Sequence, residues 1–173
     1  AVTLPVADHL PVMLDEAIRA LDLRRDGTYI DGTFGRGGHS RRILQALGVN
    51  GRLLAFDKDE EAVLVAREGF AADPRFSIVH GSFAELATAV AERGLTRQVD
   101  GLLLDLGVSS PQLDLPARGF SFSADGPLDM RMDTTGDLKA EDIVNTWTED
   151  ALKDLFFNYG EIRRPGRVVS EVL

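Results

Sequence analysis

An α/β fold, doubly wound about a parallel sheet, is what this sequence predicts, and three observations carry the expectation. Short apolar runs alternate with segments of helical periodicity through the first hundred residues. A turn with four glycines in the seven positions 32–38 follows the first of those runs. The second run, Arg52-Leu53-Leu54-Ala55-Phe56-Asp57, is nearly continuous in apolar residues, as in a parallel strand buried on both faces.

The elements follow in order. Val12, Leu14, Ala17, Ile18 and Leu21 recur at helical spacing within residues 12–23, and Pro11 suits a first helical turn. Residues 29–34 read as the first strand, and residues 40–47 as a helix closed by Gly48. After the strand at 52–57, Asp59 can cap a helix running to about Glu68. Residues 75–80 make a third strand, 83–93 a helix stopped by Gly94, and 99–106 a fourth strand. Such β-α units close into a parallel sheet through right-handed crossovers. Residues 108–136 hold turn formers without periodicity, and so long an irregular stretch in a compact domain is usually functional. Helical patterning resumes at 140–147, at 149–159 and from Ile162 onward. The chain stops at Val172-Leu173 inside an apolar helical pattern, without cap or breaker, which predicts a fragment or the ordered part of a longer protein.

Composition narrows the class. At 173 residues, 44% hydrophobic and 27% charged, the chain reads as one soluble globular domain with an appendage. No run approaches the roughly 18 apolar residues of a membrane span, so no membrane partner is expected. The absence of cysteine excludes disulfides and thiolate metal sites and fits a cytoplasmic setting. His9, His39 and His80 do not cluster with carboxylates at ligand spacings, and no metal is expected. A net charge of −9 runs against a broad nucleic-acid footprint. It leaves local basic patches: Arg163, Arg164 and Arg167, and Arg36, Arg41 and Arg42 beside the glycine turn. No oligomeric state is written in the pattern.

The spacing within the turn selects among cofactors. A dinucleotide fingerprint starting at Gly35 needs glycine at position 40, where Ser40 stands. The pattern present is an acid, Asp31, followed by Gly35 and Gly37. An acid at the strand end repels a pyrophosphate but suits a cation, and S-adenosylmethionine carries both a sulfonium and an ammonium. Asp57 lies twenty positions after Gly37, where an acidic side chain takes ribose hydroxyls, although an N-capping role remains open to it. Phe83 is a candidate to stack on an adenine or, alternatively, a core residue. Asp105 ends the fourth strand, and a charge there must leave the sheet or find a partner. The turn after it, Gly107-Val108-Ser109-Ser110-Pro111-Gln112, offers hydroxyl, carbonyl and amide groups suited to holding an exocyclic amine. A turn with no such task is the plainer alternative.

Five segments then carry a specific resemblance. They are His9-Leu10-Pro11-Val12-Met13-Leu14-Asp15-Glu16-Ala17, Asp31-Gly32-Thr33-Phe34-Gly35-Arg36-Gly37-Gly38-His39-Ser40, Asp105-Leu106-Gly107-Val108-Ser109-Ser110-Pro111-Gln112-Leu113-Asp114, Arg118-Gly119-Phe120-Ser121-Phe122 and Asp125-Gly126-Pro127-Leu128-Asp129-Met130-Arg131-Met132. Together they resemble the bacterial ribosomal RNA small-subunit methyltransferase H family, from about His9 to Glu161. The resemblance implies a Rossmann-like methyltransferase sheet, incomplete here, over residues 1–107. It implies an active-site segment at 108–136 and the start of an inserted helical domain at 137–173. It also implies methylation of a cytidine N4 amine in small-subunit ribosomal RNA, with that RNA or the ribosomal subunit as partner. The cofactor contacts it implies are Gly37, Gly38, His39, Asp57, Phe83, Asp105 and Gln112. Direct in-line transfer is expected, with Asp105, Ser109 and Ser110 as the candidate catalytic groups that orient the amine. A small-molecule methyltransferase and a truncated, non-catalytic fragment stand as alternatives, and a nicotinamide dehydrogenase is disfavoured by Asp31 and Ser40.

Overall fold

The computed structural model describes residues 11–173. His9 and Leu10, the start of the first motif, lie outside the described residues. The chain divides into two compact units, residues 1–107 and 108–173, each described by itself.

The first unit is built on four parallel strands: β1 (Thr28–Asp31), β2 (Arg52–Asp57), β3 (Phe76–His80) and β4 (Gly101–Leu103). Their order across the sheet is β3-β2-β1-β4. Register is set by Ile30 opposite Leu54 and Leu102, and by Ala55 opposite Ile78. The helices are α1 (Leu14–Ala20), α2 (Gly38–Ala46), α3 (Glu60–Phe70) and α4 (Leu86–Glu92). Alternate strand residues point to opposite faces. Tyr29, Leu53 and Ala55 therefore join Ile43, Leu44, Ala62, Ala66 and Phe70 in one apolar cluster. Ile30, Leu54 and Phe56 join Ala89, Val90 and Leu95 in the other. Both faces are covered, which is why the central strands are apolar almost without interruption. The expected α/β, doubly wound, Rossmann-like parallel sheet is present.

Several elements are shorter than their sequence pattern, α1 covering Leu14–Ala20 of the expected 12–23 and β1 ending at Asp31 rather than at 34, and two others bear on the site. The expected strand at 99–106 pairs only over Gly101–Leu103, and of its leucines only Leu103 is buried. Among the described residues β4 has a neighbour on one side, and the α4 cluster covers β1 and β2 rather than Leu102 and Leu104. The expected helix at 83–93 opens instead with a 3-10 turn, Phe83–Glu85, capped by the Ser82 hydroxyl accepting the Ala84 N–H at 3.1 Å.

The strand order matters for function. From β1 the chain winds outward through β2 to β3, then returns to the far side of β1 as β4. The crevice outside the carboxyl ends of β1 and β4 is therefore the topological switch point, where open α/β sheets hold their ligands.

The second unit holds α5 (Ser110–Asp114), a 3-10 turn at Pro116–Arg118, α6 (Ala140–Thr146), α7 (Glu149–Asn158) and α8 (Pro165–Val172). Leu152 of α7 and Val169 of α8 are fully buried between those two helices. The intervening stretch is irregular, as its composition predicts, but it is not loose. Arg118 is buried and donates from Nη2 to the carbonyls of Arg131 and Met132, both at 3.1 Å. Arg131 grips Asp129 through two bonds, 2.9 and 2.7 Å long, and donates to the Thr134 and Gly136 carbonyls. Guanidinium groups supply the donors that strand or helix neighbours provide elsewhere. No helix among the described residues is long and apolar enough to cross a membrane.

Candidate active site

The turn from β1 into α2 is stitched to the strands on either side. Toward β2, the Phe34 N–H donates to the Phe56 carbonyl at 2.9 Å and the Gly35 N–H to Asp57 Oδ2 at 2.7 Å. Toward β4, the Gly32 N–H donates to the Leu103 carbonyl at 2.9 Å, and Thr33 Oγ1 accepts the Asp105 N–H at 2.7 Å. The turn's glycines have separate reasons. Gly37 is left-handed, with φ of 76°, and a Cβ there would stand 2.7 Å from the Phe34 ring. Gly35, with φ of 56°, faces open space, leaving its backbone approachable. A Cβ at Gly38 would collide with Pro11, so that glycine is required by packing.

The three strand-end carboxylates have three different environments. Asp31 is fully buried: Oδ2 accepts the Ser40 hydroxyl at 2.7 Å and Oδ1 the Thr33 N–H at 3.2 Å. Burial pushes its carboxyl above the usual aspartate value, against those two bonds. A side chain so enclosed pins the turn to the first turn of α2 and does not face a ligand, in contrast to the cation-facing role its motif position suggests. Ser40, which spoils the dinucleotide fingerprint, is its partner. Asp57 is half-buried, with the Asp59 N–H on Oδ1 at 2.9 Å and the Gly35 N–H on Oδ2. Burial also raises its carboxyl, offset in part by these donors. The capping role falls to Asp59, whose side chain accepts the Glu61 N–H at 3.1 Å. Asp57 is thereby left facing the glycine turn. Asp105 lies two residues beyond β4 and is exposed, and its carboxylate meets no donor among the described residues.

Phe83 is 39% exposed, which removes it from the core. Its Cβ would be 3.3 Å from a Cβ at Gly32, so it stands beside the turn. His39 is buried, and its Nε2 has no hydrogen-bond partner among the described residues. A buried polar atom left in that state is costly unless something supplies the missing bond. Within the first unit, then, the turn, Asp57, Phe83 and Asp105 gather at the carboxyl ends of the strands. Ser109, Ser110 and Gln112 belong to the second unit. There Ser109 caps α5, and the buried Gln112 accepts the Ser109 N–H on Oε1 at 2.9 Å.

Thr33, Arg118 and Arg131 carry structural tasks that residue type alone did not reveal. All three sit inside the quoted motifs, which is the one signal that marks them. A concavity of about 780 Å³ lies at the opposite ends of the strands, between α2 and α3, lined by Arg25, Arg41, Leu47, Phe70 and Arg75. Arg41 lies 5.1 Å over the Phe70 ring, and Arg75 is held by Asp73 and the Leu47 carbonyl. None of the candidate site residues reaches it.

A family model described as the MraW methylase family matches residues 6–173. The resemblance carried by the motifs is thereby borne out. Among solved structures, the chain is similar to a putative rRNA-methylase from Clostridium thermocellum, with 18% identity and a TM-score of 0.37. That match covers 40% of this chain and 44% of the other.

Proposed function

The chain belongs to the MraW methylase family, and from that premise we propose that it methylates the N4 amine of a cytidine in small-subunit ribosomal RNA, using S-adenosylmethionine. The observation that carries the reading is the convergence of an open carboxylate, a half-buried carboxylate and a half-exposed ring on one glycine turn at the sheet's switch point.

The residues present suit that cofactor chemically. Asp57 offers acceptor capacity to ribose hydroxyls, and the Phe83 ring offers a stacking face to adenine. The His39 Nε2 lacks a partner among the described residues. The approachable backbone at Gly35, with Gly37 and Gly38, lies at the N-terminus of α2, where N–H groups remain for a carboxylate. When bound, the cofactor supplies a methyl group on a sulfonium for direct in-line transfer to the amine.

The amine's lone pair is delocalised into its ring, so positioning supplies much of the acceleration. Asp105 accepts an N–H of the amine or of the cofactor's amino group. The hydroxyls of Ser109 and Ser110 are the proposed substrate-side contacts, and Gln112 is a proposed cofactor contact. The target base must be unstacked to present its amine, which favours a structured single-stranded region of the ribosomal RNA or subunit over a duplex. A cytoplasmic setting follows from that partner.

Two measurements test the reading. Titration with S-adenosylmethionine should saturate, whereas a non-catalytic fragment that has lost the site would not. Asp105→Ala in the natural protein should abolish methylation of small subunits, and full activity in that variant would sink the assignment. Methylation of free nucleosides would favour a small-molecule substrate instead, the reading that the acidic net charge supports.

A further inference from the structure

We propose that Thr33 is a positioning residue that couples the glycine turn to Asp105 across the switch point of the sheet, an inference that rests on the role of Asp105 given above. β4 ends at Leu103, and residues 104–107 are exposed and outside regular structure. Asp105 therefore sits on a short stretch with no ladder to hold it. Its N–H is received by Thr33 Oγ1 at 2.7 Å, a bond spanning 72 positions of sequence. Thr33 in turn is held through its own N–H on Asp31 Oδ1, and Asp31 is fully buried and locked to Ser40. A chain of contacts thus runs from the buried Asp31 through Thr33 to the open Asp105, passing through the turn that approaches the cofactor.

The residue type fits the task. A β-branched side chain has few rotamers, so the oxygen is presented in one direction without a further entropic cost. The hydroxyl carries one hydrogen and two acceptor sites. Here it uses an acceptor for Asp105, and its hydrogen meets no acceptor among the described residues. It thus remains a donor at the carboxyl ends of β1 and β4. Valine has nearly the same shape and can accept nothing. With valine the Asp105 N–H must turn to water, and the carboxylate loses its anchor to the turn.

The test has two arms. In the chain itself, amide hydrogen exchange at Asp105 should quicken about tenfold in Thr33→Val, the size of one lost hydrogen bond. The amides of β1 and β2 should keep their protection. In the natural protein, Thr33→Val should lower kcat about 10- to 100-fold, since small misplacements of a reacting group cost on that order. KM for S-adenosylmethionine should move less than about threefold, because the other contacts remain. Thr33→Ser, which keeps the oxygen, should restore both readouts. An unchanged kcat in Thr33→Val overturns the proposal. So does a fall that serine does not rescue, or one accompanied by lost amide protection in β1 and β2, either of which indicates collapse of the turn. Activity retained by Asp105→Ala would defeat the reading of Asp105 and leave the exchange result standing, so the two failures are separable.

Discussion

The glycine turn of the first unit and the irregular 116–136 segment of the second solve one problem with different side chains, carboxylates in the turn and guanidiniums together with carboxylates in the segment. Each leaves backbone groups that no regular neighbour can satisfy. In the turn, the unmet groups are N–H donors, and carboxylates receive them: Asp31 from Thr33, and Asp57 from Gly35. In the segment both halves of the peptide group need partners: guanidiniums donate to carbonyls, Arg118 to Arg131 and Met132 and Arg131 to Thr134 and Gly136, while Asp129 and Asp133 receive the Arg131 and Thr135 N–H groups. A carboxyl or guanidinium side chain can therefore stand in for a sheet ladder. Which sign is used follows from which half of the peptide group is exposed by the chain's path.

The carboxylates differ correspondingly. Asp31 and Asp57 form no ion pair among the described residues, and burial raises them. Asp129 is gripped by Arg131, which holds it down to about 2.

The largest break in this comparison should come at Arg118. Arg118→Ala removes a buried donor from two carbonyls and should cost about 3 kcal/mol, read by urea denaturation. A loss below about 1 kcal/mol would mean that water replaces the guanidinium freely. Asp31→Ala strands the Ser40 hydroxyl and the Thr33 N–H and should cost about 2 kcal/mol. Asp31→Asn keeps an acceptor and should cost less, so equal losses would show that charge rather than hydrogen bonding holds the turn.

Acid should separate the two units next. Asp129, lowered from 3.8 to about 2, contributes stability that is present above pH 3.8 and is lost as pH falls toward 2. Asp31 and Asp57, raised above 3.8, contribute in the other sense. Their contribution is present below pH 3.8 and is lost as pH rises through their raised values. Titration from pH 5 toward 2 should therefore loosen the second unit first. The single tryptophan, Trp147, lies in that unit and reports it by fluorescence. Asp129→Asn should remove this acid sensitivity. The smallest effect belongs to the exposed Asp15–Arg42 pair, 3.2 Å apart, where Asp15→Asn should change stability by less than about 0.5 kcal/mol. A larger loss there would contradict the view that only enclosed charges matter to either region.

Much of this was legible beforehand, and what was not has a common cause. The parallel strands and their helices follow from periodicity. The alternation of Leu53, Leu54, Ala55 and Phe56 between two apolar clusters explains why β2 looks uniformly apolar. The 99–106 pattern overstates β4 because apolar composition cannot tell whether a covering helix is present. Thr33 drew no separate reading, since a hydroxyl in a turn has many local uses. Arg118 and Arg131 drew no separate reading either, since arginine in irregular chain is ordinarily a surface charge.

By itself the sequence determined the order of elements, the glycine turn, the family and the set of acids at the strand ends. These are local or periodic properties, carried by neighbours within a few positions. Only the tertiary structure decided which acid is which. Asp31 is enclosed because Ser40 comes back over it from α2, and Asp57 is shared with the turn because β1 and β2 are adjacent. Asp105 is open, and it is anchored by a residue 72 positions away. Burial and hydrogen bonding set what a carboxylate can do, and both depend on chain segments that only folding brings together.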